Sequence, residues 1–284
     1  MSRTALYTGI FSLSALALPM MAIADDAPAT ATPPQGWSGS GELGLAAASG
    51  NTKSQNLDAK LALAYEDDFW KDAFFLDANR AKSTVKTPVL VDGEQVGTTD
   101  DYTTTANHFD AGGSLGYKFS PRAYVVGALR YDHDDFAPNR WQTAASIGLG
   151  YIVLKDATNE LSFEVGPGYK RYQQQSYTVV DETVTPPLVT TVQPGTEGEA
   201  IARALVNYKL ALSDSTSLQD TLLAEVGSKN KYYQNDIGLA VSMTSKLALK
   251  VGYETRYNSD IAPGLHHADQ LFTTNLVYNF PGSK

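Results

Sequence analysis

From Trp37 onward apolar and polar residues alternate with a period of two, in stretches of about 10 to 15 residues between turn signals. Between Gln55 and Tyr65 the odd positions hold Leu57, Ala59, Leu61, Leu63 and Tyr65, and even positions hold Asn56, Asp58 and Lys60. In Trp141 to Val153, Trp141, Ala145, Ile147, Leu149, Tyr151 and Val153 oppose Gln142, Ala144, Ser146, Gly148 and Gly150. Further on, Leu247, Leu249, Val251, Tyr253 and Tyr257 alternate with Lys250, Gly252, Glu254, Arg256 and Asn258. A side-chain period of two belongs to extended strands. About twelve are expected, beginning near residues 37, 54, 69, 102, 123, 141, 160, 199, 218, 232, 247 and 268. No composition shift marks a second domain.

A soluble sandwich and a membrane barrel share this alternation and differ in where each face points. Strand length separates them: soluble strands average roughly 5–6 residues, whereas a tilted strand crossing a bilayer takes about 9–11. Aromatics on the apolar face gather at strand ends. Tyr65, Trp70, Tyr117, Phe119, Tyr151, Tyr208 and Phe280 fall at one end, and Tyr131, Trp141, Tyr169, Tyr233 and Tyr257 at the other. That is the double girdle expected at two membrane interfaces. Connections also sort by length. Asp67-Asp68, Ser120-Pro121-Arg122, Lys155 to Asn159, Asp214 to Ser217 and Thr244 to Lys246 are tight, whereas 84–101 and 176–198 are long and 259–267 medium. Short periplasmic turns opposite longer outer loops are the bacterial barrel pattern. The chain closes with a strand carrying Tyr278 and Phe280, similar to the C-terminal signal that hands outer-membrane barrels to their insertion machinery. The expected fold is therefore all-β, an antiparallel up-and-down transmembrane β-barrel of about 12 strands over residues 36–284. A soluble periplasmic β-sandwich binding protein is the alternative.

Reaching an outer membrane requires export. Arg3 is the one charged side chain before Asp25, an apolar stretch runs from Ala5 to about Leu18, and Pro19 precedes Ala22-Ile23-Ala24. This pattern predicts a signal peptide over 1–24, cleaved after Ala24, then a disordered Ala/Pro/Thr-rich lead-in over 25–35. The apolar run falls short of the ~20 residues of a spanning helix. The 284 residues include no cysteine, which excludes a disulfide scaffold, a thiolate zinc site, an iron–sulfur centre and a cysteine nucleophile. A net charge of −9 disfavours nucleic-acid binding. The mean hydropathy of −0.24 argues against a helical membrane protein, but is what a lipid face and a wet face average to.

The opening Gly36-Trp37-Ser38-Gly39-Ser40-Gly41-Glu42-Leu43-Gly44, closed by Ser49-Gly50-Asn51-Thr52, resembles the start of the YdiY-like family of salt-induced outer-membrane proteins of unknown function. Glu164-Val165-Gly166-Pro167-Gly168-Tyr169-Lys170-Arg171, the stretch Val251 to Asp260 and the terminal Leu276-Val277-Tyr278-Asn279-Phe280 resemble its other recurrent segments. The resemblance implies an outer-membrane location. It brings no activity and no catalytic residues.

The face opposite the apolar one intersperses both signs of charge. Asp58, Lys60, Asp110, Lys118, Arg130, Asp132, Glu164, Lys170, Arg203, Lys209, Glu225, Lys250, Glu254 and Arg256 are candidates to line a pore, and Glu42, Asp77 and Asp236 share their face. Such charges either pair and brace a narrow barrel or line a wet path, with the acidic excess favouring cations. The expected function is a passive channel or a structural envelope protein. It would be monomeric, surrounded by outer-membrane lipid, inserted by the barrel machinery and without a cofactor. An outer-membrane hydrolase is the enzymatic alternative. His108 shares the polar face with Ser114, six residues and roughly 20 Å along the strand, and is read as an interior polar group. Asp132-His133-Asp134-Asp135 and His266-His267-Ala268-Asp269 fall at outer mouths, where carboxylate and imidazole could together hold a divalent cation. Neighbours in a strand point opposite ways, so neither run makes a site alone, and both are read as a solvated rim.

Overall fold

The computed structural model describes residues 36–49, 53–91, 94–181, 183, 188–261 and 265–280. The expected signal peptide and lead-in lie outside the described residues. The strands are β1 (Gly36–Ala48), β2 (Ser54–Glu66), β3 (Trp70–Val91), β4 (Glu94–Lys118), β5 (Ala123–Asp134), β6 (Asn139–Lys155), β7 (Asn159–Gln174), β8 (Tyr177–Asp181), β9 (Leu188–Val192), β10 (Thr196–Ala211), β11 (Thr216–Gly227), β12 (Lys231–Ser242), β13 (Leu247–Asn258) and β14 (Ala268–Phe280). All but β8 and β9 form one closed antiparallel barrel of twelve strands in sequence order, with β7 beside β10. Closure is made by β1 against β14, in the register Gly39 to Phe280 through Leu43 to Leu276. A closed ring leaves no strand edge without a backbone partner. The sandwich alternative does not hold.

Burial is inverted relative to a soluble protein. Leu129 and Ile147 are each 61% exposed on the outer wall, while Lys170 and Glu225 inside are 0% and 1% exposed. Soluble domains rarely expose a continuous apolar surface or bury this much charge. Pairing register puts the outer aromatics at two heights. Trp37 lies opposite Tyr65, Trp70 opposite Tyr117, and Tyr151 opposite Phe163 near one end. At the other end Phe109 packs on Tyr131 at 5.8 Å and Tyr233 on Tyr257 at 6.0 Å.

The five tight turns use one device. A side-chain oxygen accepts the backbone N–H groups two and three residues on: Asp67 from Phe69 and Trp70, Ser120 from Arg122 and Ala123, Asp156 from Thr158 and Asn159, Ser213 from Ser215 and Thr216, Thr244 from Lys246 and Leu247. This local hydrogen bonding is why Asp, Ser and Thr mark those turns in the sequence. At Asp67 and Asp156 the donated bonds hold the carboxyl below its ordinary range. Inside the wall, a Cβ on Gly150 would fall on the Tyr124 ring, so the ring lies flat on the sheet only because glycine is there.

The segments 84–101 and 176–198, expected as long loops, consist largely of paired strands among their described residues. β3 and β4 run 22 and 25 residues, and beyond Ser83, where pairing with β2 ends, they continue as a hairpin paired only with itself. The second segment contains the β8–β9 hairpin, a separate two-stranded sheet.

Candidate functional site

Alternation in a closed barrel delivers one face of every strand to a common interior, so charges far apart in sequence converge there. At mid-height Arg130 of β5 reaches over three intervening strands to Glu225 of β11 at 3.5 Å, and also touches Asp110 at 3.4 Å and Asp132 at 3.5 Å. Its guanidinium lies 4.8 Å from the ring centre of Tyr232 on β12. Lys170 of β7 faces the same Glu225 at 3.7 Å and lies over the Tyr172 and Tyr232 rings at 5.7 and 5.6 Å. Buried charge is tolerated only when paired, and here one carboxylate serves two cations against aromatic faces.

Nearer the end away from the tight turns Arg256 of β13 pairs with Glu254, meets His108 of β4 at 3.4 Å and reaches Asp134 of β5, the opposite wall, at 4.0 Å. His108 Nδ1 accepts from Arg256, so its Nε2 carries the proton donated to Asp132 at 3.2 Å. Above them Asn258 accepts from Asn139 at 3.3 Å and from Asn230 at 3.0 Å, tying β6 to β13.

Further charged groups pair along the interior. Lys60 bonds Asp77 at 2.7 Å, Asp236 at 3.3 Å and Glu254 at 3.5 Å, while Lys250 bonds Glu42 at 2.9 Å and Asn275 donates to Asp58 at 2.7 Å. At the tight-turn end Glu66 collects Lys118 at 2.5 Å, Lys155 at 2.7 Å and Lys71 at 3.6 Å, and Lys71 continues to Glu160 at 3.5 Å. Arg203 holds Glu164 at 3.0 Å, and Tyr124 donates to the same carboxylate at 3.1 Å. Lys209 is exposed near that end.

The sequence-selected face is thus an interior network, with bridges at mid-height and at the tight-turn mouth. Three residues central to it went unnoticed in the sequence: Tyr124, Tyr172 and Tyr232, each at most 1% exposed. Their signal was parity, since each sits in step with an interior charge (Arg130, Lys170, Asp236) and not with the girdle. Glu66 escaped notice because it ends its strand beside a turn. Both ring nitrogens of His108 face charged groups, Asp132 at 3.2 Å and Arg256 at 3.4 Å. Among the described residues no three His, Asp or Glu side chains converge as a metal site. At the rim His133 pairs with Asp135 at 3.1 Å, Asp134 accepts from Phe136 and Ala137, and His267 bonds the Asn258 carbonyl at 2.8 Å.

A family model described as "Protein of unknown function, DUF481" matches residues 41–280. The chain is similar to the uncharacterized protein YdiY of Escherichia coli strain K12, 23% identical over 95% of this chain and 94% of that one. Among solved structures it is similar to the translocator domain of the autotransporter NalP from Neisseria meningitidis, with 12% identity, coverage of 87% and 88%, and a TM-score of 0.45. It is also similar to an outer membrane channel from Pseudomonas putida F1, with 12% identity, coverage of 91% and 100%, and a TM-score of 0.42.

Proposed function

The chain belongs to the DUF481 family of proteins of unknown function, and we propose that this member is an outer-membrane barrel whose lumen is braced shut by its own charges. In this reading it is a structural envelope protein, or at most a path for small ions, and not a solute porin or an enzyme. The observation that carries the reading is the bridge from Arg130 to Glu225 and Lys170 across the interior, buried against Tyr232. An open pore leaves its lining charges hydrated, whereas these are withdrawn from solvent. The apolar outer wall between two aromatic girdles, on a ring with no edge, supports a bilayer as the surroundings. The tight-turn side then faces the periplasm and the β3–β4 and β8–β9 hairpins face out. The segment 1–24 serves as signal peptide with cleavage after Ala24, and insertion reads the Tyr278 and Phe280 end of β14. The barrel works as a monomer in lipid and without a cofactor.

Liposome swelling tests this. Vesicles carrying the refolded protein, checked for insertion by a heat-dependent gel shift, are diluted into isotonic arabinose or glucose. Swelling no faster than in empty vesicles is expected. Swelling at a rate that rises with protein content would overturn the closed lumen.

A further inference from the structure

On the outer wall beside the tight turns, four neighbouring strands align Trp37, Tyr65, Asp72 and Leu115 at one height, each opposite the next. Trp70, two residues before Asp72 on the same face, packs edge-on to Tyr117 at 5.5 Å. Trp37 tilts against Tyr65 at 5.3 Å and stacks with Phe74 at 6.4 Å. Trp37, Tyr65, Trp70 and Asp72 line a shallow, open recess of about 440 Å³. A second recess of about 230 Å³ lies further up the same strands, bordered by Leu61, Leu63, Phe74 and Leu76. Phe74 adjoins both.

Asp72 is the charge in this patch. It shares parity with Trp70, Phe74 and Leu76, so it stands on the lipid face, whereas its neighbour Lys71 turns inward to Glu66 and Glu160. One carboxylate oxygen accepts the N–H of Gly116 at 3.2 Å, and among the described residues no cation pairs with it. A carboxylate facing a membrane is costly unless a positive group meets it. Aromatic faces attract a cation by their quadrupole, and an ammonium N–H forms a charge-assisted bond with a carboxylate.

We propose that these two recesses form one lipid site, which takes the primary ammonium headgroup of a phosphatidylethanolamine-type phospholipid against Asp72 and the tryptophans. One acyl chain lies in the Leu61–Leu76 furrow. The headgroup comes from the membrane, because the recess opens on the lipid face and continues into an apolar furrow that a free amine would leave empty. The inference rests on the outer-membrane reading, in which this end meets the phospholipid leaflet.

Two of the chain's three tryptophans line the recess, so Trp141→Phe leaves an emission that reports on it. This protein is refolded into phosphatidylglycerol vesicles containing increasing phosphatidylethanolamine. The expected result is an emission change that saturates at low mole fraction, and that Asp72→Asn moves at least tenfold higher while Asp72→Glu retains it. Native mass spectrometry of the parent should keep one phosphatidylethanolamine in preference to phosphatidylglycerol. Phosphatidylcholine, which lacks an N–H, should bind more weakly, and soluble ethanolamine at millimolar concentration should do nothing. Asp72→Asn titrating like the parent, equal retention of phosphatidylglycerol, or an equal response to soluble ethanolamine would overturn the site. Absence of the gel shift in every lipid would instead overturn the membrane reading, and this inference with it.

Discussion

Replacing Glu225 with Gln removes the carboxylate that Arg130 and Lys170 share. The two cations lose unequally. Arg130 keeps Asp110 at 3.4 Å and Asp132 at 3.5 Å, while Lys170, 0% exposed, has no other carboxylate within ion-pair distance among the described residues. Two charges about 4 Å apart interact by about 4 kcal/mol at an effective dielectric of 20, and breaking a buried pair from one side costs about 3–5 kcal/mol. Glu225→Gln is therefore expected to cost about 3 kcal/mol. Lys170→Met should cost about 1 kcal/mol or less, because Glu225 still has Arg130 at 3.5 Å and the methionine sits against the Tyr172 and Tyr232 rings. Combined, the two changes should recover at least ~1.5 kcal/mol of the single loss, since the stranded cation is gone. The assay is urea unfolding of the inserted protein, followed by tryptophan emission and the heat-dependent gel shift. A Glu225→Gln variant within ~0.5 kcal/mol of the parent, or strictly additive effects, would refute the reasoning.

Three other outcomes follow from the geometry. Ile147→Arg places a charge midway between the girdles on the outer wall, 61% exposed in the parent, and should cost about 2–4 kcal/mol in the same titration. Gly150→Ala forces a methyl onto the Tyr124 ring and should cost about 1–3 kcal/mol; adding Tyr124→Leu should return part of this despite losing the bond to Glu164. Asp156 has a depressed carboxyl pKa, so its hold on the β6–β7 turn is complete above the ordinary value of about 3.9 and fades as pH falls through the lower folded value. The protection of the Thr158 and Asn159 amides, measured relative to their intrinsic exchange rates, should therefore fall at acid pH, and Asp156→Ala should show the same fall at neutral pH.

The barrel was legible because three periodic signals agree: alternation set the faces, aromatics set the heights, and Asp, Ser or Thr marked each tight turn. Once the chain leaves the bilayer those signals lose their physical cause. The β3–β4 extension and the β8–β9 hairpin therefore looked like loops, although their strands pair with each other. In the lumen, parity told which charges point inward, but not which of them meet. That Arg130 finds Glu225, 95 residues away, depends on how twelve strands stagger around the ring, and each strand read alone carries no trace of this. Parity marks Asp72 too, as a carboxylate in step with Trp70 and Phe74 on the outward face.

Single-channel recording in planar bilayers tests the closed lumen most directly. Inserted parent protein at neutral pH should give no long-lived open steps, and the combined Arg130→Ala and Glu225→Ala variant, which removes the mid-height bridge from both walls, should give them. Stable open steps in the parent, unchanged by that double substitution, would contradict the claim that these charges hold the barrel shut.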